Sequence, residues 1–177
     1  MLKNVDNGDV VFFADSNHIV AQDPQVFVDM AIQNGLFLRD HIWIKYPLAD
    51  WCRRDTFINM GCDSPEFWNA IQLQANIIGV CKNDFTSNFI AEWKDYCLDY
   101  HVNFGDQKYK NFPGFVTHRF DQMILSILAQ KYHIPYLNRT ENVWNEYIIP
   151  EIEGIFPSPD RLVDNSYRKD IDSLYNR

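Results

Sequence analysis

Three short stretches concentrate the polar side chains able to bind ions or move protons. Asp15-Ser16-Asn17 sets a carboxylate and a side-chain amide oxygen two residues apart. Both are hard oxygen donors that can share one Mg²⁺ or Mn²⁺, and such an ion tethers phosphate oxygens. The same triplet equally suits an Asx turn at the end of a strand. Thr117-His118-Arg119-Phe120-Asp121-Gln122 runs directly into the apolar stretch Met123–Leu128. At a helix start free N–H groups favour anions, Arg119 can grip a phosphate or carboxylate, and Asp121 can face developing positive charge or accept a proton. Read as structure alone, Thr117 caps that helix, Asp121 complements its dipole and Arg119 pairs locally. The third stretch, Trp51-Cys52-Arg53-Arg54-Asp55, brings an aromatic ring, two guanidiniums and a carboxylate into little more than one helical turn. Neighbours one or two apart do not share a helix face, so it offers half a site at most, and a solvated helix start is the plain alternative.

Other chemistries are poorly served. Cys52, Cys62, Cys81 and Cys97 lie 10, 19 and 16 residues apart, and the five histidines, at 18, 41, 101, 118 and 133, are scattered singly. Neither pattern offers a zinc ligand set. Four scattered cysteines read as buried thiols in a reducing compartment, with a disulfide pair as the alternative, and the thiol reading points to the cytoplasm despite one Asn-Arg-Thr sequon at Asn138. A two-metal phosphoesterase would need a carboxylate cluster that the chain does not present. Sixteen basic against 24 acidic residues give a net charge of −8, so the basic field that a nucleic-acid partner requires is missing. No apolar run reaches the roughly 18 to 20 residues of a membrane span, and the N-terminus lacks the pattern of a signal peptide. Apolar residues make up 46% of the 177, enough for a core. Aromatics number 27 and suit both a core and the flat faces of sugars or bases.

The elements that would position these groups alternate in type. Val10–Ala14 is a five-residue apolar run between turn signals, the pattern of a strand buried on both faces, with Asp15 at its C-terminal edge. Asp23-Pro24 opens a helix that Asn34-Gly35 ends, and Leu36–Leu38 suggests a second strand. One helix is expected over 50–60 with Gly61 as its stop, and another from Ser64-Pro65. Ile77–Val80 reads as a strand in which Gly79 marks a bulge or a close backbone approach. A longer helix follows from Asn83 through Cys97, with Glu92, Asp95 and Asp99 on its exposed side, then a loop over 99–114 and a helix over about 118–132. This is an α/β chain.

Taken in order, these segments resemble nucleotide-sugar glycosyltransferases of the GT-A type that carry an HRxDQ helix start. The pieces are Gly8–Asp15, Arg54-Asp55-Thr56-Phe57 with Met60–Asp63, Glu92-Trp93 with Tyr96-Cys97, and His118–Leu128. The Asp-Gln pair is also similar to the element beside the donor sugar in glycogenin-like retaining transferases. The resemblance implies a partial or compact GT-A fold with a mixed sheet flanked by helices over residues 1–156, followed by a surface tail or docking segment over 157–177. It implies transfer of a sugar from a nucleotide-diphosphate donor to a glycan or other hydroxyl acceptor in polysaccharide or glycoconjugate synthesis. Asp15 and Asn17 would hold Mn²⁺ or Mg²⁺, although Asn17 stands where a second aspartate is usual. Asp121 and Gln122 would be catalytic, and His118, Arg119, Trp51, Arg54 and Asp55 would bind substrate. Because such folds place several strands ahead of the metal-binding one, the chain is expected to be their C-terminal half. The alternative is a non-catalytic carbohydrate-binding or interaction module derived from such an enzyme.

Overall fold

The computed structural model describes residues 2–15, 24–40 and 47–137. Asn17, the Asn138 sequon and the segment 157–177 lie outside these residues. The fold is a mixed α/β arrangement built on a small sheet. Strands β1 (Val10–Ala14), β2 (Leu36–Phe37) and β3 (Ile77–Cys81) take the order β1-β3-β2, with both pairings antiparallel. Two expectations are corrected here. The three strands pair antiparallel rather than as a mixed sheet, the parallel Arg39–Leu137 bridge being isolated from them. The central, fully buried strand is β3, whereas β1 is an edge of the described sheet with Phe13 40% exposed. An apolar run of five identifies a strand; its place in the sheet is set by what pairs with it.

Since β1 and β2 each run antiparallel to β3, they are parallel to one another, and helix α1 (Gln25–Asn34) connects them across the sheet. Alternation along the strands divides the core in two. Phe37, Ile77 and Cys81 face α1, joining Phe27 and Ala31, while Leu36, Ile78 and Val80 face the larger cluster. Helix α7 (Phe120–Lys131) is the spine of that cluster, with every residue from Met123 to Ala129 buried. Even Ser126 is accommodated there: its hydroxyl donates to the Gln122 carbonyl at 2.7 Å and accepts the Leu73 N–H at 3.0 Å. Helix α5 (Asp84–Leu98) lies along α7. Its start is a capping box in which Asn83 and Thr86 exchange side-chain-to-backbone hydrogen bonds, both 2.9 Å.

Gly79 is a close approach and not a bulge. It stays in register opposite Phe12 on one side and Phe37 on the other. A Cβ there would meet the Phe12 ring at 2.7 Å and Phe37 Cβ at 2.9 Å. Gly79→Ala is therefore expected to cost about 2 kcal/mol through overpacking, read as a lower urea midpoint with an unchanged slope.

The helix expected over 50–60 is two short ones, α2 (Leu48–Trp51) and α3 (Arg54–Asn59), separated by extended backbone at Cys52 and Arg53. Helix α4 (Pro65–Trp68) starts at Pro65 as the capping signal indicated. The loop over 99–114 contains a further turn of helix, α6 (Tyr100–Asn103), whose first N–H groups are capped by Asp99.

Candidate functional site

Asp15 leaves β1 beside the start of β3, where its N–H donates to the Asn76 carbonyl at 2.9 Å. Asp15 lines a cavity of about 320 Å³ that the start of α7 also lines. Its apolar floor consists of Phe13 from β1, Ile78 and Val80 from β3, and Ile90 and Trp93 from α5. Polar groups come from Asp15, Asn76, Asp121 and Gln122. The cavity thus joins Asp15 to Asp121 and Gln122, which lie more than a hundred residues apart in the chain.

Each polar group has a positional cause. The Trp93 indole N–H donates to the Asp121 carbonyl at 3.0 Å, tying α5 to the first turn of α7 and fixing where the Asp121 side chain emerges. Gln122 Nε2 is buried with no hydrogen-bond partner among the described residues. Asn76 Oδ1 accepts from the buried Arg39 guanidinium at 2.8 Å. Cys97 sits near enough to Asp121 to feel its charge; burial first, and then that carboxylate, push the thiol up to about 12. It is inert at neutral pH. All four cysteines are free thiols; Cys52, Cys62 and Cys81 are buried and Cys97 is half-buried.

No Lys, Arg or His among the described residues lines the cavity. Among the described residues no group of three or more His, Cys, Asp or Glu side chains is placed to hold a metal. The donors present are carboxylate and amide oxygens. They fit Mg²⁺ or Mn²⁺ in chemical type and in the common mode of one or two carboxylates completed by water and phosphate.

The remaining sequence candidates do not reach the cavity lining, and the structure gives them packing partners. Asp55 is buried, and its carboxylate accepts the Lys108 N–H at 2.8 Å and the Tyr109 N–H at 3.3 Å. Arg54 pairs with Asp63 at 3.2 Å and lies over the Phe112 ring. Trp51 is buried beneath the Arg119 guanidinium, 4.3 Å from the ring centroid. The stretch from Trp51 to Asp55 is accordingly not a solvated helix start. Arg119 itself occupies the capping position of α7, with no side-chain cap, so the expected Thr117 cap is also corrected.

His118 is buried, and its Nδ1 accepts the Arg53 N–H at 3.4 Å. Burial first, then the Arg53 charge, lower its pKa to about 4. The unfolded chain takes up this proton near pH 6.5 while the folded chain refuses it until about pH 4. The stabilising contribution is therefore complete above pH 6.5 and is lost as pH falls from there to 4, in total about 3 kcal/mol. Unfolding free energies at pH 7, 5.5 and 4 should show this decline, and His118→Gln should remove it while leaving the steeper carboxylate titration below pH 4.

Reasoning from sequence missed Trp93, Asn76 and Ile90 as lining groups. Asn76 carried a usable signal, since antiparallel pairing of Val10–Ala14 with Ile77–Cys81 places it beside Asp15. No helix among the described residues is long and apolar enough to cross a membrane. Comparison with protein-family models, curated proteins and solved structures gives no match. The site stands on its geometry as an acidic, amide-rimmed cavity with an aromatic and aliphatic floor on an α/β scaffold.

Proposed function

We propose that this chain handles the sugar end of a glycosyl transfer, moving a sugar from a nucleotide-diphosphate donor to a hydroxyl acceptor. The observation that carries the reading is the single cavity shared by Asp15, Asp121 and Gln122. A sugar ring has apolar C–H faces and a hydroxyl edge. The Trp93 and Phe13 rings suit the former, and the carboxylates and Gln122 Nε2, which has no partner among the described residues, suit the latter. Asp121 stands where it can face the positive charge that grows on the reacting sugar carbon or accept the proton of the attacking hydroxyl. Trp93 holds it in position. Asp15, together with Asn17, is the part of this chain that would hold a Mn²⁺ or Mg²⁺ ion; when bound, that ion neutralises charge on the departing diphosphate.

A second reading, a carbohydrate-binding module without turnover, is favoured by one observation: among the described residues no basic side chain lines the cavity to meet a diphosphate. One set of measurements separates the two. Calorimetric titration with uridine, guanosine and thymidine diphosphate sugars, with and without Mn²⁺, is paired with titration of the free sugars and with a donor-hydrolysis assay. Metal-dependent donor binding that Asp15→Ala abolishes supports transfer. Binding of free sugars that ignores both metal and nucleotide supports the module, and failure of both ligand types to bind removes both readings.

A further inference from the structure

The Arg53 guanidinium is fixed at one corner. Its Nη1 donates to the Gly105 carbonyl, while Nε and Nη2 are buried with no hydrogen-bond partner among the described residues. Those two atoms carry the parallel N–H groups with which a guanidinium grips two oxygens of one carboxylate or phosphate. Ion pairs among the described residues join Arg54 to Asp63, Lys94 to Asp95 and Lys131 to Glu92, and none reaches Arg53.

Two further donors adjoin it. His118 is 9% exposed and its Nδ1 accepts the Arg53 N–H at 3.4 Å, so the neutral ring carries its proton on Nε2. That Nε2 is buried and has no partner among the described residues. Trp51, 5% exposed, precedes Arg53 by two residues across the extended backbone of Cys52, so both side chains leave the same side of the chain. The Trp51 indole N–H is likewise buried with no partner among the described residues. Segments 51–53 and 118–119 lie side by side, because the Arg119 N–H also donates to the Trp51 carbonyl at 3.1 Å and the Arg119 guanidinium covers the Trp51 ring.

We propose that Arg53, His118 and Trp51 form an oxyanion site, in which the Arg53 Nε and Nη2 grip two oxygens of a carboxylate or phosphate and the His118 and Trp51 N–H groups donate to the same anion. None of the three lines the cavity, so the site stands apart from the sugar reading. Acceptor oxygens and negative charge are what these donors lack. Water supplies the first alone, whereas one anion supplies both and balances a charge that is costly to bury. Arg53 as a whole is half-buried, so it lies just below the surface and a local opening admits the anion.

The test titrates inorganic phosphate and acetate into the full chain at constant ionic strength, with chloride as reference, and follows the Arg53 Nε–H and Trp51 indole N–H signals by NMR. One of the two anions is expected to saturate both signals at a concentration at least about tenfold below that at which chloride acts. Tighter phosphate assigns a phosphoryl ligand, and tighter acetate a carboxylate one. Arg53→Lys keeps the charge and a donor for Gly105 but has no paired N–H groups, so it should weaken binding about tenfold. Trp51→Phe keeps a ring under Arg119 and loses the indole N–H, and should weaken binding by a smaller factor. Signals in the parent chain that respond equally to all three anions, or that do not saturate, overturn the site without recourse to a variant. Equally tight binding in Arg53→Lys overturns it too. Each of these failures leaves the cavity and its sugar titrations untouched.

Discussion

Asp121→Ala is expected to lower donor-sugar turnover by about 100- to 10,000-fold, the usual worth of a positioned acid–base or charge-stabilising carboxylate, with little change in stability. The carboxylate is exposed at the first turn of α7 and its side chain makes no hydrogen bond among the described residues. Its backbone carbonyl receives the Trp93 indole, and alanine keeps that carbonyl. Asp121→Asn separates the two chemical roles. An amide cannot take a proton or balance a cationic sugar carbon, but it can still accept a hydroxyl hydrogen bond. Sugar affinity should therefore survive in Asp121→Asn while turnover falls as far as in Asp121→Ala. Trp93→Phe should give a smaller loss of turnover by releasing the carbonyl that fixes Asp121. Full activity in both Asp121 variants would take the reacting centre away from α7.

What the sequence disclosed of this site and what it hid have a common physical cause. Several local signals were legible, although the Thr117 cap and the unbroken helix over 50–60 were not among those that held. The helix start at Asn83, the Gly35 stop with φ of 80° and the Pro65 start all lie where they were expected. Long-range placement was not local. Val10–Ala14 is as apolar as a central strand, yet it forms an edge of the described sheet, because only the pairing partners decide position in a sheet. The same limit governed the polar residues. Asp121 and Asp55 both read as carboxylates in the first turn of a helix, and nothing within a few residues distinguishes them. The fold does: one side chain faces a cavity, and the other is sealed under the segment that follows α6. Ser126 was hidden inside an apolar run for the same reason, since its partner Leu73 is far away in the chain.

Asp55→Ala is therefore expected to act on stability and not on sugar binding, with a loss of about 4 kcal/mol. Its carboxylate is 2% exposed and satisfies two backbone N–H groups, those of Lys108 and Tyr109. A hydrogen bond to a charged group contributes roughly 1.5–3 kcal/mol, and removing the acceptor leaves both donors without a partner. The neighbouring contacts show what the residue secures. The Arg54 N–H donates to Asn111 Oδ1 at 3.1 Å, the Thr56 hydroxyl donates to the Val102 carbonyl at 2.7 Å, and the Arg53 guanidinium donates to the Gly105 carbonyl. Residues 53–56 thus form a clasp on the segment 102–111, which carries Phe104. Asp55→Asn keeps one good acceptor oxygen, so it should lose about half as much and remain folded for binding measurements. In that variant the affinity for monosaccharides should equal that of the parent, while hydrogen exchange at the Lys108 and Tyr109 amides accelerates. The opposite pattern, unchanged stability with sugar affinity lost, would return Asp55 to the substrate site and show that a second binding surface lies beneath the 104–111 segment.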